Sequence, residues 1–395
     1  MEKVRFGIVG VGNMGSSHAA HLLEGKVENG VLAAVCDLKP ERIAAIKALE
    51  GGEAVASFSD YREMLRSGLI DAVIVAVPHY FHPPIVIEAL NAGLHALSEK
   101  PAGVYTRQVK EMLAVAAKSD KLFTMMFNQR TNCVFRKMHE MIAGGELGDI
   151  RRINWIITNW YRSQSYYDSG DWRATWKGEG GGVLFNQCPH QLDLVQWVTG
   201  MKPARVRAFC QFGKWHDIEV EDDVTAYMEY DNGATGVFIT TTGEYPGTNR
   251  LEISGNLGKL VVENNKNLKF YKLDVPEREF NRTYQGGFGH PNCEVIDVET
   301  DGKNPQHVGI LNNFANAILG LEPLFVDGQE GLNGVELMDA MLLSTWLDKT
   351  VSLPIDDEQY YAELQKRIAS GRDKKNVVEQ VLNTEGTYGS GKETR

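Results

Sequence analysis

A chain of 395 residues is too long for one ordinary hydrophobic core and fits two domains. Its 43% hydrophobic and 24% charged residues are those of a globular protein, and a net charge of -11 argues against nucleic acid, whose phosphates need clustered Lys and Arg. No signal-peptide pattern or membrane-length apolar run is visible, and five scattered cysteines lack CxxC spacing, so a membrane, a disulfide framework and a metal are excluded and a cytoplasmic setting is expected.

Taken in chain order, the first third alternates short apolar β-branched runs with helical patterns. Strands are predicted at 4–9, 31–36, 72–77, 95–98 and 122–127, with helices at 14–23, 41–49, 84–92 and 108–118 between them. Nearly continuous apolar strands separated by helices indicate a parallel sheet covered on both faces, a doubly wound α/β domain of the Rossmann type over residues 1–128. After a helix at 134–143 the rhythm changes to long runs at 150–160, 204–212, 224–230, 235–242, 251–254, 259–263 and 268–273. Strands that follow one another without helices favour a large open mixed or antiparallel sheet, here with helices at 187–198, 308–319 and 331–349. Residues 129–383 therefore read as an α+β substrate-binding and oligomerisation domain, and 384–395 as a flexible tail.

The first strand runs into Gly10-Val11-Gly12-Asn13-Met14-Gly15, a GxGxxG that opens a helix. Gly10 permits the tight turn, Gly12 lets backbone N–H groups approach a pyrophosphate, and Gly15 lets helix and strand pack closely. Glycines alone also serve plain turns. Asp37, at the end of the second strand, adds a carboxylate that can accept both ribose hydroxyls and repel a 2′-phosphate, although it could equally cap the next helix. NAD is the expected cofactor, ahead of NADP.

Two later segments are more specific. One is Val77-Pro78-His79-Tyr80-Phe81-His82 and the other Glu99-Lys100-Pro101, and they are followed by Asp171-Trp172-Arg173, Gly180-Gly181-Gly182 and Asn186-Gln187-Cys188-Pro189-His190-Gln191-Leu192-Asp193. In this order they resemble the glucose-fructose oxidoreductase, inositol dehydrogenase and MocA (Gfo/Idh/MocA) family. The resemblance implies a cleft between the domains as active site, oligomer contacts on the open sheet of a homodimer or homotetramer, and sugars, anhydrosugars or cyclic polyols as substrates. It also implies a cofactor pocket that includes Pro78, His79, His82, Glu99, Lys100, Asn128, Trp172 and Arg173.

Oxidation of a secondary alcohol needs a hydride acceptor, a base for the hydroxyl proton and a positive group where oxyanion charge develops. Lys100, at the carboxyl end of a parallel strand, can polarise the reacting oxygen. His190 titrates near neutrality and is the expected base, in line with the resemblance. Cys188, two residues away, diverges from it on a helix, so Cys-His nucleophilic catalysis is set aside. Family members generally carry an aspartate four residues before this histidine, where this chain has Asn186, which cannot ionise. Asp193, three residues after His190, is one substitute; a substrate ligand or a helix-capping group are its other readings. Arg130, Tyr161, Trp172 and Asn186 complete the expected substrate contacts, with an ion pair the plainer reading of Arg130 and core packing that of the aromatics. Two rival functions are a redox-initiated glycoside lyase or hydrolase that retains its NAD, and a noncatalytic NAD-binding regulator.

Overall fold

The computed structural model describes residues 3–374 and 376–378, so the expected tail at 384–395 lies outside the described residues. The N-terminal sheet is formed by β1 (Val4–Val9), β2 (Gly30–Cys36), β3 (Ala56–Phe58), β4 (Ala72–Val75), β5 (His95–Ser98) and β6 (Phe123–Met125). All five pairings are parallel and the order is β3-β2-β1-β4-β5-β6. Helices α1 (Asn13–Leu23), α2 (Pro40–Lys47), α3 (Tyr61–Arg66), α4 (His82–Asn91) and α5 (Thr106–Ala116) make the crossovers. Every residue of β4 is buried, as a strand covered on both faces must be. The strand order reverses between β1 and β4, and ligands bind in the crevice beyond the carboxyl ends of the strands at such a point.

After α6 (Cys133–Ala143) come β7 (Ile150–Ile157), α7 (Gln164–Asp168), α8 (Val183–Asn186) and α9 (Pro189–Thr199). The strands β8 (Arg205–Phe212), β9 (Glu221–Glu229), β10 (Thr235–Thr241), β11 (Asn249–Gly255), β12 (Gly258–Glu263) and β13 (Lys266–Leu273) follow. The last elements are α10 (Glu277–Thr283), β14 (Cys293–Asp297), α11 (Gln306–Ile318), α12 (Gly331–Trp346), β15 (Val351–Ser352) and α13 (Asp357–Ser370). The second sheet has nine strands in the order β14-β13-β12-β11-β7-β10-β9-β8-β15. Only β7 and β10 pair in parallel. Period-2 alternation gives this sheet one covered face and one open face, on which Ile156 and Phe209 are both exposed. On the covered face α12 is hydrogen-bonded to β8, Ser344 accepting from the Ala208 N–H at 3.0 Å and Thr345 donating to the Ala208 carbonyl at 3.0 Å.

Two expectations change. The single helix predicted at 187–198 is two helices, because Pro189 has no N–H to continue a preceding turn and instead starts α9 at its first position. The helix expected at 308–319 also does not stay with the second sheet. Helix α11 returns to the N-terminal one, where Phe314 packs on Phe6 with ring centroids 6.1 Å apart. Beside it Asn312 accepts from the Glu28 N–H at 2.9 Å, and Asn316 accepts from the Asn29 amide at 2.7 Å.

Candidate active site

The crevice at the β1/β4 reversal starts with the glycine turn. Gly10 holds φ +85°, and a Cβ at Gly15 would sit 1.9 Å from the Gly10 carbonyl oxygen, so the close packing of α1 on β1 needs both residues bare. A Cβ at Gly12 would meet only the Arg42 guanidinium, at 3.7 Å, and no side chain caps the N-terminus of α1, so its first N–H groups face open space. An anionic pyrophosphate fits there, and the residues suit a dinucleotide. Asn13 and Met14 form the first residues of that helix. The Asp37 carboxylate accepts the N–H groups of Val11 and Lys39, each at 2.9 Å, which fixes it at the mouth of the turn. Arg42, which sequence reasoning missed, lies 3.6 Å from it.

Pro78 and His79 follow β4 as it enters the crevice. His79 Nδ1 lies 3.1 Å from the Glu179 carbonyl oxygen, its ring packs edge-on against Trp172 at 5.8 Å, and burial pushes its pKa well below the usual imidazole range. His82 spends both ring nitrogens on backbone, 2.7 Å from the carbonyls of Val77 and Pro101, and so braces the ends of β4 and β5. Glu99 meets His18 at 2.8 Å, and the His18 and His307 rings lie 5.6 Å apart. Burial alone would raise the Glu99 carboxyl; the His18 hydrogen bond and the charges of His18, His307 and Lys100 outweigh it and hold the group at about 2. Asn128 is buried and donates to the Gln306 side chain at 2.6 Å.

Just past β5, the Lys100 ammonium donates to the Asn186 carbonyl at 2.8 Å. Burial lowers its pKa, opposed chiefly by the charges of Glu99 and Glu179. His190 is buried in the first turn of α9. Its pKa is pushed well below the imidazole range, first by burial and then by the positive charge of Lys100, so the ring is neutral at pH 7 with a cation close by. A neutral imidazole beside an ammonium can take a proton from an alcohol while the ammonium stabilises the oxygen left behind.

The remaining expected contacts separate. Arg130 and Asp193 bind each other through two hydrogen bonds of 2.8 and 2.5 Å, both side chains buried, and Glu330 approaches Arg130 at 2.7 Å. The two charges are thereby paired with each other inside the protein. Trp155, Trp160, Tyr167 and Trp176 are core, whereas Tyr161 is 52% exposed and packs edge-on against Tyr245 at 6.1 Å. Arg173 stacks over both Trp172 and Tyr166, at 4.6 and 4.8 Å from their ring centres. The Tyr166 hydroxyl accepts from Arg173 at 3.1 Å and Gln187 at 3.0 Å, and donates to the Asn186 side-chain oxygen at 3.1 Å. Asn186 closes this network by donating its amide to the buried carboxylate of Glu179. Tyr166, Glu179 and Gln187 were not among the expected site residues. Gln187 lies within the motif at 186–193, and Glu179 stands directly before three glycines. Among the described residues no group of His, Cys, Asp and Glu is arranged to hold a metal ion, and no helix is long and apolar enough to cross a membrane.

Comparison with known proteins agrees with this fold. The WlbA dehydrogenase of Chromobacterium violaceum, solved with NADH and UDP-GlcNAcA, superposes with a TM-score of 0.78 at 28% identity, covering 90% of this chain and 97% of that one. The Bordetella pertussis WlbA dehydrogenase, in complex with the same two molecules, gives 0.77 at 27% identity over 90% of this chain and 99% of its own. Myo-inositol 2-dehydrogenase of Thermotoga maritima is 24% identical over 66% of this chain and 75% of its length. Residues 4–127 match the oxidoreductase family with an NAD-binding Rossmann fold, and residues 135–261 match the GFO/IDH/MocA C-terminal domain. With both parts matched over more than half its length, the chain belongs to the GFO/IDH/MocA family of NAD-binding oxidoreductases.

Proposed function

We propose that this oxidoreductase oxidises a secondary hydroxyl of a cyclic sugar, anhydrosugar or polyol, with Lys100 polarising the oxygen and His190 accepting the proton. The observation that carries the reading is the buried histidine in the first turn of α9, four residues after Asn186, whose carbonyl holds the Lys100 ammonium at 2.8 Å; burial and the charge of Lys100 favour the neutral imidazole. The inositol in the name of one relative and the UDP-GlcNAcA bound in the WlbA complex share a ring bearing secondary hydroxyls. When bound, NAD would supply the hydride acceptor at its nicotinamide; Gly12, in the turn that Gly10 and Gly15 make possible, would face the pyrophosphate and Asp37 would hold the ribose. Trp172 and Arg173, against His79 and Tyr166, wall the same space and suit either the nicotinamide or the face of a sugar ring. Asn186, through its hold on the Lys100 ammonium, keeps that donor aimed into the crevice.

The test is an absorbance screen at the NADH band with inositols, monosaccharides, anhydrosugars, glycosides and sugar acids. A substrate that forms NADH stoichiometrically, with a primary isotope effect on deuteration of one carbinol carbon, is the expected result. Glycoside cleavage without net NADH, by protein that retains its NAD through gel filtration, would replace this reading with redox-initiated elimination.

A further inference from the structure

The charge on Lys100 has a source that the expected site residues do not include. Glu179 lies in the loop between α7 and α8 and is 1% exposed. Both of its carboxylate oxygens face N–H donors: one accepts from the Ala174 backbone at 2.6 Å, the other from the Asn186 amide. Two donors on two oxygens suit the ionised, acceptor-only form of the group. A buried carboxylate in that form needs a cation nearby. Asn186 connects it to one, since the residue whose amide holds Glu179 offers its backbone carbonyl to the Lys100 ammonium at 2.8 Å. We propose that Glu179 is a positioning residue, the buried carboxylate that acts through Asn186 to keep the Lys100 ammonium charged and aimed during alcohol oxidation. This rests on the proposed function.

Two carboxylates support the ammonium, Glu99 first and Glu179 second, and Glu99 is shared with His18; Arg173, His79, His82, His190 and His307 oppose or cannot support a positive charge, and Cys188 is a thiol that burial pushes up to about 12. Burial pushes the Glu179 carboxyl above the usual carboxylate range, opposed by the charge of Arg173, the hydrogen bonds from Ala174 and Asn186 and the charge of Lys100; Lys374 is a further cation near it, while Glu221 and Tyr167 are the acidic neighbours. Removing the Glu179 charge therefore leaves Lys100 with burial and Arg173 opposing its protonation and Glu99 as its main support. The ammonium should lose its proton at lower pH, which sets the alkaline limb of kcat/KM for oxidation.

The experiment compares wild type with Glu179→Gln, Glu179→Asp and the double variant Glu179→Gln with Asn186→Asp. The double variant reverses donor and acceptor across the same hydrogen bond and keeps one negative charge. In Glu179→Gln the alkaline limb should fall by about one pH unit or more, whereas Glu179→Asp and the double variant should keep it near wild type. In parallel, the protein is reductively methylated with 13C-formaldehyde in the presence of NAD, and the Lys100 signal, assigned by its loss in Lys100→Met, is titrated by NMR. It should titrate lower in Glu179→Gln by the same amount. Coincident limbs and titrations in wild type and Glu179→Gln overturn the proposal. So does a limb displaced as far in Glu179→Asp as in Glu179→Gln, because the effect then belongs to packing rather than charge. If Lys100 titrates as expected but no ring alcohol is oxidised, the charge pairing stands and the proposed function fails. If ring alcohols are oxidised while the titration stays put, the reverse holds.

Discussion

Lys100 and His190 carry opposite burdens of the same burial. The lysine must stay charged where charge is disfavoured, and the histidine must start neutral, which burial favours. Lys100→Met keeps most of the apolar stem and removes the charge, so turnover should fall by a factor of about a hundred or more while NAD affinity stays within about threefold. Steady-state kinetics and a fluorescence titration with NADH check the two halves of that statement. His190 gives a second outcome. An ordinary imidazole would lose about tenfold in kcat/KM for oxidation between roughly pH 6 and pH 5, but one whose pKa lies well below that range should leave the profile flat over the interval. An acidic limb centred near the ordinary imidazole value of about 6.5, in a protein shown to remain folded, would assign the base to another group. These two residues are legible in the sequence because motif and chemistry agree on them. Arg130 and Asp193 are not, since two charges 63 positions apart announce nothing of the bond between them.

The break between α8 and α9 is the element on which the site turns. Gly182 precedes α8 where a Cβ would stand 2.0 Å from the Glu221 carbonyl oxygen, so the chain can pass β9 only as glycine. Glu221 itself accepts the N–H groups of Gly182 and Leu184 at 2.8 and 3.1 Å, anchoring the start of α8. Burial raises its carboxyl to about 8 in spite of those donors. Between the unfolded and the folded pKa the native state holds a proton that the unfolded chain has lost, so the stabilisation is fully present below the unfolded value, falls as pH rises and is gone once pH passes the folded one. Relative to Glu221→Gln, which cannot titrate, wild type should therefore lose stability as pH rises from the ordinary carboxylate range toward 8, at about 1.4 kcal/mol per pH unit, and level off above it. Urea titrations of both proteins at a series of pH values measure the gap, and a constant gap would mean that Glu221 is already ionised throughout. Pro189 is a readable sign of the helix break. Other elements leave fainter traces: β3 has three residues, α3 six, and α13 buries only Tyr360 and Leu364. With so little apolar face to mark it, α13 is fastened to α5 through Arg107–Glu358 and Lys110–Asp357 ion pairs, which no periodicity reveals.

Across the whole molecule, the buried bond from Arg130, just past β6, to Asp193 on α9 joins the two sheets' territories. Breaking a buried pair from one side strands the other charge, so Arg130→Met should cost about 3–5 kcal/mol in unfolding free energy. Arg130→Met with Asp193→Leu should recover much of it, and denaturant titrations of the single and double variants decide whether stranding or packing is responsible. The two sheets themselves are legible from the change of strand rhythm near residue 128, a local pattern. The return of α11 to the first sheet is not, because it is a contact between segments that each look complete alone. That return sets a timetable for synthesis. The first sheet leaves the ribosome with Asn128, yet its partner Gln306 is 178 residues further along. At translation rates of roughly 5–20 residues per second, the nascent N-terminal third waits on the order of 10–35 s with Phe6 and its neighbours uncovered, an interval in which a chaperone that shields apolar surface has something to hold.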